Sequence, residues 1–139
     1  MVVRLNPYLN FRDNAHAAMD FYQSVFGGEL SRMKFGDMPM GTDPAEADKV
    51  MHSMLETEDG LTLMAADTPN YMEYNPGTSH SVSLSGDDDG RLRAYWAKLS
   101  AGGTIVAALE QAPWGDTFGM CVDQFGISWL VNIAGTPGG

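Results

Sequence analysis

Hydrophobic and polar positions alternate along this chain with two different periods, and each change of period marks a new element. Over residues 5–11, Leu5, Pro7, Leu9 and Phe11 fall on one side and Asn6, Tyr8 and Asn10 on the other. That two-residue period predicts a strand with one apolar face. Pro7 has no N–H to give to a ladder, so it belongs near the strand's start or on an edge. The spacing then lengthens. Ala18, Phe21, Tyr22, Val25 and Phe26 recur at three- and four-residue steps, which predicts an amphipathic helix over 15–26 with Asp13 or Asn14 as its N-cap. Gly27-Gly28 stops it, because glycine accepts the left-handed conformation that ends a helix. A strand over 29–35 and a loop over 36–48 follow. Strands over 50–57 and 61–66 are joined at Glu58-Asp59-Gly60, where Asp-Gly signals a hairpin. Residues 67–78, with Pro69, Pro76 and Gly77, read as an irregular connection.

The same sequence of patterns then starts again. Residues 80–85 alternate, with Val82 and Leu84 opposite Ser81, Ser83 and Ser85. Asp87, Asp88 and Asp89 crowd a helix N-terminus, where negative charge suits the macrodipole. Leu92, Tyr95, Trp96 and Leu99 mark the helix's apolar stripe, and Gly102-Gly103 ends it. Strands are predicted over 104–109, 118–123 and 127–133, with a turn at Gln124-Phe125-Gly126. The order is therefore βαβββ, connection, βαβββ. The paired-glycine stops are 75 residues apart and the hairpin glycines 66 apart, so the first copy carries the longer loop. Two long copies describe a duplicated unit rather than a solenoid, which needs three or more short ones. The expected fold class is α+β: two βαβββ repeats forming curved, cup-like mixed sheets with the helices outside. The whole chain, 1–139, is read as one domain, with unit one at about 4–67, a linker at about 68–78 and unit two at about 79–134.

Composition narrows the class of function. A chain that is 44% hydrophobic can bury a core, which removes disorder from consideration. Eight Lys and Arg scattered among eighteen carboxylates, for a net charge of −10, exclude a phosphate-neutralising nucleic-acid surface and disfavour an anionic membrane. The one cysteine, Cys121, lies in an apolar run and reads as a small buried hydrophobe. The opening MVVRLNPYLNF is too short and polar for a signal segment, and no run approaches eighteen apolar residues, so a cytoplasmic location is expected.

Several separated motifs carry a family resemblance in order. Asn6-Pro7-Tyr8-Leu9-Asn10-Phe11, Phe21-Tyr22 and Val25-Phe26-Gly27-Gly28 open it, and Val50-Met51-His52-Ser53 continues it. Leu99-Ser100-Ala101-Gly102-Gly103, Pro113-Trp114-Gly115, Phe118-Gly119-Met120 and Asp123-Gln124-Phe125-Gly126-Ile127-Ser128-Trp129 complete it. Together they resemble the PhnB-like branch of the vicinal oxygen chelate (glyoxalase, bleomycin-resistance and extradiol-dioxygenase) superfamily, over roughly residues 5–132. The resemblance implies paired βαβββ units around a small-molecule cleft, often in a homodimer, and either a divalent metal or simple ligand binding. A methyltransferase label attached to this branch is discounted, because no glycine-rich loop is present to hold S-adenosylmethionine.

In metal-dependent relatives, the first strand of each unit carries a His or similar donor and the last strand a carboxylate just after the hairpin glycine. Here those positions fall on Asn6 (or Pro7), Met64, Ser81 (or His80) and Leu130. At best one strong ligand remains, His80, so no metal or other cofactor is expected and a divalent metal is the disfavoured alternative. His52, Met54 and Glu56 share a strand face. His52 and Glu56 stand ~13 Å apart by strand rise, so they line one surface without bonding each other. If the helices cover the apolar faces, Asn6, Tyr8, Asn10, Ser81, Ser83 and Ser85 look into the cup, where hydroxyls, amides and a phenol suit a polar ligand. Trp114 and Phe118 offer an aromatic wall or, equally, a rim cluster. Met33, Met38, Met40, Met51, Met54, Met64 and Met72 concentrate in the first half as core or as an adaptable apolar lining.

The expected ligand-binding set is thus Asn6, Tyr8, Asn10, His52, Glu56, Ser81, Ser83, Trp114 and Phe118. The leading expectation is a small-molecule-binding homodimer with no nucleic-acid or membrane partner. The alternative is a metal-dependent isomerase, lyase or oxygenase whose displaced site uses His52, Glu56 or His80. A third is an interaction module recruiting a partner through exposed sheet edges.

Overall fold

The structure, a computed structural model, describes residues 3, 5–37, 44–58, 60–69, 72–77 and 79–135. Of the expected features, Met38, Met40, Asp59 of the hairpin and parts of the 36–48 and 67–78 segments lie outside these residues. The chain divides between Pro76 and Gly77 into two compact units.

In the first unit, β1 (Tyr8–Phe11), α1 (Ala15–Phe26), β2 (Glu29–Lys34), β3 (Val50–Glu56) and β4 (Thr62–Asp67) follow in order. They form a mixed sheet β1-β4-β3-β2, with β1 parallel to β4 and the other pairs antiparallel. Short 3₁₀ turns at Phe35–Asp37 and Pro44–Glu46 punctuate the expected loop. Helix α1 packs on β2, β3 and β4, burying Ala15, Ala18, Met19, Tyr22 and Val25 against Phe11, Leu55, Leu63 and Ala65.

The second unit repeats this plan with β5 (Val82–Gly86), α2 (Asp89–Ser100), β6 (Thr104–Gln111), β7 (Thr117–Val122) and β8 (Ser128–Ile133), in the sheet order β5-β8-β7-β6. Leu92, Tyr95 and Leu99 of α2 are buried, as are Leu84, Cys121, Trp129, Val131 and Ile133 of the strands. Gly119 of β7 is required here, since a Cβ would sit 2.9 Å from the Trp96 ring of α2. Two βαβββ units, each a mixed four-stranded sheet with one helix, give the glyoxalase/bleomycin-resistance fold.

The duplication reaches individual turns. Gly27 and Gly102 take φ of 74° and 78° as the chain leaves each helix. The second glycine of each pair does a different job: a Cβ on Gly28 would lie 2.3 Å from the Glu56 carbonyl oxygen, and one on Gly103 2.1 Å from that of Val122. Each hairpin closes alike. Thr57 N and Leu61 O bond at 3.0 Å and Asp123 N and Ile127 O at 2.9 Å, with Gly60 and Gly126 at φ of 87° and 89°.

Three details depart from the sequence pattern. Strand β1 starts at Tyr8, not residue 5, because Pro7 contributes only its carbonyl, which accepts from Met64 N; Leu5 is 100% exposed rather than on an apolar face. Strand β5 starts at Val82, since its partner β8 begins only after the Asp123–Gly126 turn and the ladder opens with Val82 opposite Trp129. Asn14 is the N-cap of α1 but makes no side-chain cap bond. That role passes to Asp67 of β4, buried, whose Oδ1 accepts from Ala15 N and Oδ2 from Val50 N, both at 2.9 Å. In the second unit the cap is local, with Asp88 accepting from Arg91 N.

Candidate functional site

Alternation along the strands assigns each sheet a helix-covered face and a second face. In the first unit the second face carries Tyr8 opposite Met64, Met64 opposite Met54, Met33 opposite His52 and Glu56 opposite Thr62. Asn10 lies opposite Ala66, and continuing the β3–β4 register places His52 across from Ala66 on the other side. From strands on either side of β4, the rings of Tyr8 and His52 approach each other with centroids 6.0 Å apart, across the stretch of β4 that carries Met64 and the small Ala66. Tyr8, Asn10 and His52 thus stand around one shallow floor, edged by the thioethers of Met54 and Met64. Partial burial holds the Tyr8 phenol above its ordinary pKa, so at neutral pH it is an intact O–H donor and acceptor. Glu56 is exposed at the end of β3, away from this floor.

The second unit's face carries Ser83 opposite Leu130, Met120 opposite Leu130, and Ser85 and Phe118 flanking Asn132. The Asn132 amide donates to Asp116 Oδ2 at 3.0 Å, and Gly135 N donates to Asp116 Oδ1 at 2.8 Å. These two bonds, Asn132 first, lower the Asp116 pKa. Trp114, 65% exposed on the loop before β7, meets Phe118 edge-on at 6.2 Å.

The structure therefore sets Tyr8, Asn10 and His52 on one face of the first unit, with Tyr8 and His52 in ring contact, and Ser83 and Phe118 on one face of the second, with Trp114 beside Phe118. Asn6 and Ser81 precede their strands, so neither is part of a strand face. His80 is exposed and its Nδ1 lies 3.0 Å from Ser79 Oγ. The residue pattern marks neither Ala66 nor Asn132. An alanine in a Met-Ala-Ala run gives no signal of being a floor, and Asn132 reads as any alternating strand position.

A family model described as Glyoxalase/Bleomycin resistance protein/Dioxygenase superfamily matches residues 4–131. The chain belongs to this superfamily. Among solved structures, protein PA1353 from Pseudomonas aeruginosa is 32% identical with a TM-score of 0.84, covering 95% of this chain and 98% of that one. The PhnB protein from Bacillus cereus is 24% identical with a TM-score of 0.72, covering 95% of this chain and 100% of its own, a likeness of fold. YjdN of Escherichia coli K12 is 26% identical over 140 residues, 93% of this chain and 94% of YjdN. The uncharacterized protein Mb0911c of Mycobacterium bovis is 32% identical over 139 residues, 92% of this chain and 81% of its own.

The superfamily's metal can be tested against the donors present. The register sets Tyr8 beside Met64 and Ser83 beside Leu130, while Asn6 and Ser81 lie just before their strands. A phenol, a thioether, a hydroxyl and a hydrocarbon do not fit a hard divalent ion. Among the described residues no three His, Cys, Asp or Glu side chains gather as such an ion requires. No helix of the described residues is long and apolar enough to cross a membrane.

Proposed function

We propose that this member of the glyoxalase/bleomycin-resistance superfamily binds an organic small molecule on the second face of its first unit, without the superfamily's divalent metal. The observation that carries the reading is the Tyr8–His52 ring contact across β4, with Asn10 on the same face and methionines at its edge. A few placed polar groups on an otherwise apolar lining is the usual make-up of a ligand site. The phenol, the imidazole and the amide orient a polar substituent, while the thioethers adapt to a flat or irregular apolar body. Ser83, Phe118 and Trp114 give the second unit a similar mixture. In this reading the protein works as a homodimer; the exposed Ile105 and Val106 on edge strand β6 are the surface that association would cover.

A thermal-shift screen of polar aromatic and heteroaromatic compounds tests the proposal, with each hit repeated on Tyr8→Phe and His52→Ala. Stabilising compounds whose effect falls in both variants support it. Hits that stabilise both variants as well as the parent chain place binding elsewhere and reject it. The alternative of a divalent-metal isomerase, lyase or oxygenase lacks a donor set among the described residues, where no three His, Cys, Asp or Glu side chains gather and His52 and Glu56 stand four residues apart on β3.

A further inference from the structure

We infer that the second face of the first unit also binds a soft monovalent cation of the Cu(I) class, held by the imidazole of His52 and the thioethers of Met54 and Met64. Met54 and Met64 are direct cross-strand partners. His52 stands two residues from Met54 along β3, on the same face. Neighbouring strands lie about 4.8 Å apart and two residues of strand span about 6.7 Å, so the three Cα atoms form a triangle with its longest side about 8 Å. The centre of that triangle is about 4 Å from each corner, within the reach of unbranched methionine side chains and of an imidazole. Met33, directly opposite His52, supplies a further thioether at the edge.

Two observations separate this cluster from ordinary packing. Met19 of α1 shows what a packing methionine does in this chain, being fully buried, whereas Met33 is 43% exposed and Met54 and Met64 keep partial exposure on the face away from the helix. The donors are also thioether sulfur and imidazole nitrogen, all polarisable, with the nearest carboxylate on this face of β3, Glu56, ~13 Å from His52 by strand rise. Thioether and imidazole ligands without carboxylate select Cu(I) over Mg²⁺, Mn²⁺ or Ca²⁺. The inference shares a surface with the organic-ligand proposal but does not rest on it.

The test uses Ag⁺ as a redox-inert stand-in, titrated into the full chain labelled with ¹³C at methionine methyls and ¹⁵N at histidine rings, with no organic compound present. The expected result is saturation at one equivalent, with shifts at the Met54 and Met64 methyls and at the His52 ring. In Met54→Leu/Met64→Leu, a volume-conserving exchange, affinity should drop by at least about tenfold, while Met72→Leu should bind like the parent. Cu(I) competition against a chromophoric chelator should rank the variants in the same order. Unmoved Met54 and Met64 methyls, undiminished affinity in the double variant, or Zn²⁺ bound at His52 as tightly as Ag⁺ would each overturn the inference. Because the parent spectrum alone reads the site, a variant that fails to fold does not block the test.

Discussion

Asp123 offers the sharpest test of how the second unit holds its strand register. Its carboxylate, on a residue 3% exposed, accepts from Phe125 N at 2.8 Å and Ile127 N at 3.2 Å through Oδ1, and from the Trp129 indole N–H at 2.8 Å through Oδ2. In Asp123→Asn one of these acceptors becomes an NH₂ group. If the amide nitrogen faces Trp129, two buried donors oppose each other; if it flips, two backbone N–H groups lose their acceptor instead. Losing a bond to a charged acceptor costs about 1.5–3 kcal/mol, and an unsatisfied buried donor adds about 1–3 kcal/mol. A loss of about 3 kcal/mol is therefore expected, which at about 3 °C per kcal/mol for a chain of this size lowers Tm by about 10 °C. Urea titrations followed by far-UV circular dichroism and tryptophan fluorescence measure it. Trp129→Phe in a double-mutant cycle should show coupling of at least about 1 kcal/mol with Asp123→Asn. A loss below about 1 kcal/mol for Asp123→Asn would mean the carboxylate is replaceable at that turn and does not hold the register.

Other consequences separate the roles of the paired glycines and of the lone thiol. Gly103→Ala forces a Cβ to 2.1 Å from the Val122 oxygen and should cost about 3 kcal/mol or more. Gly27→Ala meets no atom within 4 Å and pays only for its left-handed φ of 74°, about 1–2 kcal/mol; equal or reversed losses by chemical denaturation would contradict this division. Burial, with Asp123 nearby as the lesser cause, pushes the Cys121 thiol from 9.0 to about 11. A raised pKa means the fold favours the neutral thiol, so this contribution is complete below pH 9 and disappears as pH rises toward 11. Relative to Cys121→Ala, the parent chain should lose stability over that window, and its native thiol should resist a disulfide reagent at pH 8; rapid labelling would show the site is open.

Much of this architecture was legible in the pattern of residues because it is local. Helix α1 runs over the stretch marked by the Ala18–Tyr22–Val25 spacing, and the paired glycines end both helices where the chain turns away. The duplicated hairpins were visible at Gly60 and Gly126 for the same reason. Long-range devices were not legible. Nothing around Asp67 announces that it caps a helix begun 52 residues earlier, because the bond depends on β4 lying beside β1. The faces of Tyr8, Asn10, Ser83 and Ser85 follow from alternation, whereas the same alternation runs on through Asn6 and Ser81 although the strands start two residues and one residue later. The partnership of Tyr8 with His52 needed the register, since the two rings meet across an intervening strand. The small floor at Ala66 has no sequence signature at all.

The central claim, that an organic ligand seats against Tyr8, Asn10 and His52, is tested most directly by determining the structure of the chain with its best stabilising compound bound. The expected complex has a polar ligand atom within hydrogen-bond distance, about 2.6–3.2 Å, of the Tyr8 hydroxyl or a His52 ring nitrogen, with the apolar body against Met54 or Met64. A ligand seated only elsewhere, or one held through a divalent ion on three carboxylate or imidazole donors, would contradict it.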